Sequence, residues 1–267
     1  MKVGVIIIGD EILSGKRKDA HLAKVIELLS ARGMALSWAR YLGDDRQGIT
    51  AALADAFSSG DLVFSCGGIG ATPDDHTRQS AAAALGVPLV LHPQAKQLIQ
   101  ERMQDVAREQ GVPYEPDRAD NVHRLNMGVF PEGAHIIANP YNKIPGFSVG
   151  HVHFVPGFPV MAWPMIESLL DGAYSHLHGA ARTEERSVIV FGAMEATLTP
   201  LMESVESHHP GIKVFSLPSV DHPQWGRHIE LGVKGAQGAQ VVQAAYQELL
   251  DGLQAQGCRL GPEMVRH

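Results

Sequence analysis

Residues 62–77, LVFSCGGIGATPDDHT, constrain the chain more than any other stretch. An apolar run, Leu62 to Phe64, enters a turn holding Gly67, Gly68 and Gly70. Thr72-Pro73-Asp74-Asp75 then opens an alanine-rich segment. Strand, glycine turn and helix start, in that order, bring backbone N–H groups and a positive helix end to one point, where a phosphate can sit. Asp74 and Asp75 put negative charge at the same point, and a divalent cation bridging carboxylate and phosphate oxygens reconciles the two. A purely structural account competes with this. Thr72 as N-cap, Pro73 as N1 and Asp75 as N3 form a variant capping box, and acids favour a helix N-terminus in any case. That account leaves Gly67, Gly68 and Gly70 unexplained.

The flanking chain repeats the pattern. Residues 3–8 are a β-branched run without alternation, as in a strand buried on both faces, and they end at Gly9-Asp10-Glu11, with Ser14-Gly15-Lys16 beyond. Asp19 caps a predicted helix with Leu22, Val25, Ile26 and Leu29 inward, and Gly33 ends it. A second strand, 36–41, ends at Gly43-Asp44-Asp45, and Ile49, Leu53 and Phe57 mark the next helix. Strand 62–66 and a helix holding 77–85 follow. Three such alternations imply right-handed crossovers and a parallel sheet covered on both faces. Its strands all end at one edge, where open α/β folds bind ligands. Each end carries paired acids, Asp10/Glu11, Asp44/Asp45 and Asp74/Asp75. One pair would be ordinary solvated loop composition; three on one edge, beside Ser14-Gly15 and the glycine turn, read as a metal–phosphate site.

Downstream, 92–110 is a predicted helix with Leu98, Ile99, Met103 and Val106 inward, and 114–126 is a polar connector from which Asp120, Asn121, His123 and Arg124 could reach a ligand. Strands at 134–138, 147–149 and 151–155 enclose the turn-rich NPYNKIPG and lead to Pro156-Gly157-Phe158-Pro159 and a helix at 160–170. The polar segment 177–185, with Arg182, reads as a linker, so the expected domains are 1–175 and 176–267. Beyond it, strand 187–191, helix 196–208, strands 213–217 and 228–233 and helix 241–253 make a β-α-β-β-α module.

Bulk properties narrow the functional classes. With 267 residues and 45% hydrophobic composition the chain can build one large core or two modest ones. A net charge of -7 gives no support to nucleic-acid binding. Cys66 and Cys258 are too far apart in sequence for a zinc-type pair, and Cys66 fits a buried strand end better than a nucleophile. Apolar runs are strand-sized, which predicts no membrane span, and MKVGVIIIGDE reads as a first strand, which points to a cytoplasmic protein.

The order GDEILSG, GDD, GGIGATPDDHT, NPYNKIPGF, VPGFPVMAWPM resembles the molybdopterin-binding domain family of cofactor biosynthesis, and within it the competence/damage-inducible CinA group. The likeness covers residue 2 to about 170, with a looser match through 186–252. It implies an α/β fold, a three-layer mostly parallel sheet with helices on both faces, followed by a small α+β subdomain of KH-like type. It implies a phosphorylated pterin (molybdopterin or its adenylated form) or a nucleotide as ligand, and Mg²⁺. The implied chemistry is adenylyl transfer, or hydrolysis of a nucleotide pyrophosphate such as ADP-ribose; a non-catalytic binding module is the alternative. Carried over residue by residue, the resemblance places Gly67, Gly68, Gly70, Asp75 and Thr77 at the phosphate or pterin pocket. Ser14, Gly15 and Asp19 fall with the first acidic loops, and Pro145, Gly146, Pro156 and Gly157 on the far wall. Asp10, Glu11, Asp44 and Asp75 become the metal candidates, Asp44, Asp74 and Asp75 the catalytic ones, and Lys16 or Arg17 would offset developing charge. A homo-oligomer, dimer or trimer, is expected.

Two positions depart from the family pattern. His21 stands where an asparagine is usual, and Asn142-Lys143-Ile144 replaces Gly-Thr-Ala, so that Lys143 either pairs with phosphate or closes the pocket. The GxxG at 235–238 has no basic residue between its glycines, which argues against RNA binding and leaves dimer contact or pocket lid as the subdomain's role.

Overall fold

The computed structural model describes residues 1–179 and 184–266. It divides into two compact units, Met1–His178 and Gly179–His267. Of the predicted linker, 180–183 with Arg182 lie outside the described residues.

The first unit runs β1 (Val3–Ile8), α1 (Asp10–Leu13), α2 (His21–Ser30), β2 (Trp38–Leu42), α3 (Arg46–Ser59), β3 (Leu62–Cys66), α4 (Thr77–Leu85), β4 (Leu89–Leu91), α5 (Pro93–Glu109), α6 (Ala119–Arg124), β5 (Val129–Pro131), β6 (His135–Ile137), β7 (Gly146–Val149), β8 (Val152–Val155) and α7 (Pro159–Asp171). Its main sheet has the order β2-β1-β3-β8-β7-β6, parallel from β2 to β8 and antiparallel at the β7 and β6 edge. A short β4–β5 ribbon stands apart.

The absence of alternation in β1 has a direct cause. Ile7 joins Phe64, Val25, Leu29 and Met165 in the core under α2 and α7. Ile6 and Ile8 join Ile49, Leu53, Ala81 and Ala95 in the core under α3, α4 and α5. Every side chain of the strand therefore leaves water, each contributing roughly 1.5–3 kcal/mol of burial.

Four local expectations change. The stretch after β1 is not all loop but holds the one-turn α1. On α2 the inward face is Val25, Leu28 and Leu29, and Ile26 is 44% exposed, because it lies about a quarter turn off that stripe. Helix α4 starts at Thr77 rather than Thr72. The polar connector contains α6 and a 3₁₀ turn, Leu125–Gly128.

The second unit runs β9 (Glu184–Phe191), α8 (Glu195–His208), β10 (Lys213–His222), β11 (Gly226–Gly235), α9 (Ala239–Ala255) and β12 (Arg259–Arg266). Its antiparallel sheet, β10-β11-β9-β12, packs with both helices around Val188, Leu198, Leu231, Val242 and Leu249. Strand β12 lies beyond the last element expected, the helix at 241–253, and contains Gly261-Pro262. The structure places that dipeptide at a register shift between Leu260 and Glu263 on an edge strand, where proline is tolerated. No helix among the described residues is long and apolar enough to cross a membrane.

Candidate functional site

Parallel pairing sets the ends of β1, β2, β3 and β8 along one edge. Backbone bonds there stitch the loops to one another, Gly9 N–H to Leu42 O at 3.0 Å and Gly67 N–H to Val155 O at 3.0 Å. A cavity of about 380 Å³ opens at this edge, between the glycine turn, the acidic loops, the Pro156–Phe158 corner and the 139–145 loop.

Each glycine of the turn answers to a close approach. Gly67 has φ 107 and a Cβ there would collide with the Ile8 carbonyl; Gly68 has φ 68 and would collide with the Thr77 hydroxyl; Gly70 would press on the Asp75 carboxylate. Packing thus accounts for the three glycines that the capping account left open. Thr77 is fully buried, its hydroxyl donating to Gly67 O at 3.0 Å and its N–H to Gly68 O at 3.0 Å. Arg78 is buried behind the turn and donates to Ile69 O at 3.0 Å and Gly70 O at 2.6 Å. Burial presses the Arg78 pKa down, with the Asp75 charge opposing. Carbonyls are consumed from behind. Among the described residues, the N–H groups of Gly68, Ile69, Gly70 and Ala71 have no protein acceptor.

Residues 72–75 are a turn, not a helix start. Asp75 Oδ2 accepts from Thr72 N–H at 2.8 Å and from its hydroxyl at 2.6 Å, while Asp75 N–H donates back to Thr72 O at 3.1 Å. These bonds replace the helical ones, so α4 begins only after the chain has passed His76. The Thr72 hydroxyl also meets Asp74 and holds that carboxylate below its ordinary range.

Of the six paired acids, Glu11, Asp44 and Asp74 line both the cavity and an adjoining cleft that Asp10, Ser14 and Lys16 complete. Asp75 lines the cavity but not that cleft, and Asp45 caps α3 through Gly48 N–H at 2.6 Å. Burial pushes the Asp44 carboxyl up, and the charges of Asp10, Glu11 and Asp74 add to the rise. Among the described residues, no three His, Cys, Asp or Glu side chains gather closely enough to hold a metal ion by themselves. Arg17 reaches the cavity with its guanidinium 5.7 Å from the Phe158 ring centre and 3.9 Å from Glu11.

The remaining candidates divide. Pro145, Pro156 and Gly157 line the cavity beside Gly67, Gly68 and Gly70. Gly15, Asp19, Thr77 and Gly146 do not. Asp19 accepts from His21 N–H at 2.8 Å, Leu22 N–H at 3.2 Å and Tyr41 OH at 2.7 Å, so it is occupied at the start of α2. Gly146 is packed against the Phe154 carbonyl and Met165. Buried His21 braces the far wall, Nε2 lying 3.0 Å from Gly157 O. Lys143 neither enters nor closes the cavity: its Nζ is 2.6 Å from Asp105 of α5. Cys66 is fully buried, and burial pushes its thiol up to about 12, which leaves no thiolate for attack. From the connector, His123 Nε2 meets Ala71 O at 2.8 Å on the turn, while Asp120, Asn121 and Arg124 bond locally and stay off the cavity.

Sequence reasoning placed Pro145, Pro156 and Gly157 on the far wall but did not name the other residues that line the cavity with them. Asn139, Asn142, Ile144, Met127 and Met161 all line the cavity. The available signal was a pair of asparagines in a proline-rich loop, whose amides bond to each other at 2.8 Å.

Comparison with known proteins agrees over the same region. A family model described as a probable molybdopterin binding domain matches residues 4–176. A CinA-like protein of Syntrophotalea carbinolica is 30% identical over 219 residues, 77% of this chain and 50% of that protein. A CinA-like protein of Anaeromyxobacter dehalogenans is 32% identical over 60% of this chain and 38% of its own length, so the chain spans half or less of these relatives. The crystal structure of the protein CinA, of unknown function, from Thermoplasma acidophilum superposes with a TM-score of 0.54 at 26% identity, covering 64% of this chain and 98% of that one.

Proposed function

The chain belongs to the molybdopterin-binding domain family over residues 4–176, and from that membership we propose that the cavity at the sheet edge binds a phosphorylated pterin or a nucleotide. The observation that carries this reading is the glycine turn. The donors of Gly68, Ile69, Gly70 and Ala71 have no protein acceptor among the described residues, and their row suits the non-bridging oxygens of a phosphate. Glu11, Asp44 and Asp74 oppose a bare phosphate but fit Mg²⁺, which binds through one or two carboxylates and completes its shell with substrate oxygens and water. The crowding that raises the Asp44 carboxyl supports that fit, since a cation relieves it. One or two of Asp10, Glu11, Asp44 and Asp74 would hold the ion, which when bound would neutralise phosphate charge and polarise phosphorus.

The activity in this reading is hydrolysis of a nucleotide pyrophosphate, or adenylyl transfer to a pterin phosphate. An oxygen of water or of the pterin phosphate attacks one phosphorus, the bridging P–O bond breaks with its electron pair, and a water's proton passes to a carboxylate. Asp75 lies at the cavity wall to orient that nucleophile, and Arg17 offsets charge on the phosphates. One observation favours a non-catalytic binding module instead: no three potential metal ligands converge among the described residues. Self-association into a dimer or trimer belongs to either version.

AMP release from ADP-ribose and related dinucleotides, with and without Mg²⁺, separates the two. Mg²⁺-dependent turnover that drops about a hundredfold in Asp74→Asn supports catalysis. Binding without turnover leaves the module. Neither binding nor turnover overturns both.

A further inference from the structure

The far wall of the cavity contains an amide that cannot choose its orientation. Asn142 Oδ1 accepts from Asn139 Nδ2 at 2.8 Å and from the backbone N–H of Ile144 at 3.0 Å. A backbone N–H can only donate, so the oxygen end of the amide is fixed by chemistry. Asn139 is fixed in turn. It is buried, its Nδ2 also donates to Ile144 O at 2.9 Å, and its Oδ1 accepts from Tyr141 N–H at 3.0 Å. Turning Asn142 over would break both bonds to its oxygen and set Nδ2 against two donors.

Asn142 Nδ2 is left with one protein contact, the Met161 sulfur at 3.5 Å, which is a weak acceptor. Both residues line the cavity together with Ile144, Met127 and Ile69, and none of these five borders the acidic cleft. The cavity is therefore polarised. Glu11, Asp44 and Asp74 lie where the cavity meets the acidic cleft; the fixed Asn142 donor, with Met127, Ile144 and Met161, lies away from that cleft. The backbone holds this arrangement at a cost, since Lys143 sits at φ 64, tied by its N–H to Asn139 O at 3.0 Å and by Nζ to Asp105.

We propose that Asn142 determines which heterocycle the cavity accepts, selecting a ring edge that carries an oxo acceptor over one that carries an amino donor. The inference rests on the pterin or nucleotide reading above. An oxo group opposite Nδ2 completes the amide's bonding. An amino group there faces donor with donor and leaves both unpaired, the situation in which sites discriminate strongly.

The test is equilibrium titration of the full chain, with Mg²⁺, against inosine 5′-diphosphate, whose ring edge presents a 6-oxo acceptor beside N1–H, and adenosine 5′-diphosphate, whose edge presents a 6-amino donor beside an unprotonated N1. Wild type is expected to bind the oxo form about tenfold tighter. Asn142→Asp, which turns the donor into an acceptor of the same size, inverts the preference, and Asn142→Ala abolishes it. Equal affinity of wild type for the two, or a preference unchanged in Asn142→Asp, overturns the role of Asn142 alone. The wild-type ratio decides by itself should a variant fail to fold. Failure of both nucleotides and of a 4-oxo pterin phosphate to bind wild type overturns the reading of the cavity, and this inference with it.

Discussion

Asp10 and Asp44 hold each other's backbone: Asp10 N–H donates to Asp44 Oδ2 at 2.9 Å and Asp44 N–H to Asp10 Oδ1 at 3.1 Å. The exchange fixes two carboxylates side by side at neighbouring strand ends. Burial and the Asp10 charge keep the Asp44 proton bound more tightly in the folded chain than in the unfolded one. Ionising Asp44 therefore costs stability, which is fully present below the unfolded value of 3.8 and lost as pH rises through the raised one. An asparagine amide in its place would keep the acceptor and lose the charge. Asp44→Asn should melt about 1–3 °C higher than wild type near pH 7 in metal-free buffer, with the difference closing towards pH 4. A lower melting temperature at pH 7 would contradict this.

Arg78 spans two carbonyls with one planar group, which lysine cannot do. Arg78→Lys should cost about 1–3 kcal/mol in denaturant unfolding. It should also speed hydrogen exchange at the Gly67 and Thr77 amides, whose bonds to Val155 and Gly68 frame the turn. Unchanged exchange would mean that the turn is held without the guanidinium.

His153 lies in a buried chain, Nδ1 2.7 Å from Ser148 Oγ and Nε2 2.7 Å from Tyr174 OH. Burial, and then the His151 charge, lower its pKa from 6.5 to about 4. The folded state binds this proton less readily than the unfolded one, so the contribution is complete above 6.5 and falls away as pH drops towards 4, by about 3 kcal/mol. His153→Phe should flatten the melting curve against pH across that interval, even though its melting temperature at pH 7 is lower. A slope equal to wild type would assign the acid sensitivity to other groups.

Lys143 is the one non-glycine residue at positive φ among those described. Glycine adopts φ 64 freely, and the exposed pair with Asp105 offsets little. Lys143→Gly should therefore leave unfolding free energy unchanged or raise it by up to about 1 kcal/mol. A clear loss would show that the Lys143–Asp105 pair fixes the loop.

What the sequence disclosed was local. The β-branched runs of β1 and β3 and the acids after them have short-range signatures, and parallel pairing does the rest by placing Glu11, Asp44 and Asp74 at one opening. Whatever depended on competition between nearby bonds was hidden. Asp75 returns to Thr72 instead of opening the helix, and Asp19 satisfies α2 and Tyr41 instead of the cavity. Long-range partners were hidden as well: nothing near Lys143 in sequence announces Asp105, and the Asn139–Asn142 amide wall faces a turn some seventy residues earlier.

Gly67 rests on the Ile8 carbonyl with no space for a methyl group, and Ile8 closes a strand whose neighbours Ile6 and Ile7 belong to opposite cores. The floor of the cavity is thus the sheet itself, with no cushioning layer between them. Temperature-sensitive alleles mapping to Val25 or Leu53, remote from the opening, would present first as weakened ligand capture at permissive growth temperatures, and only later as loss of the protein.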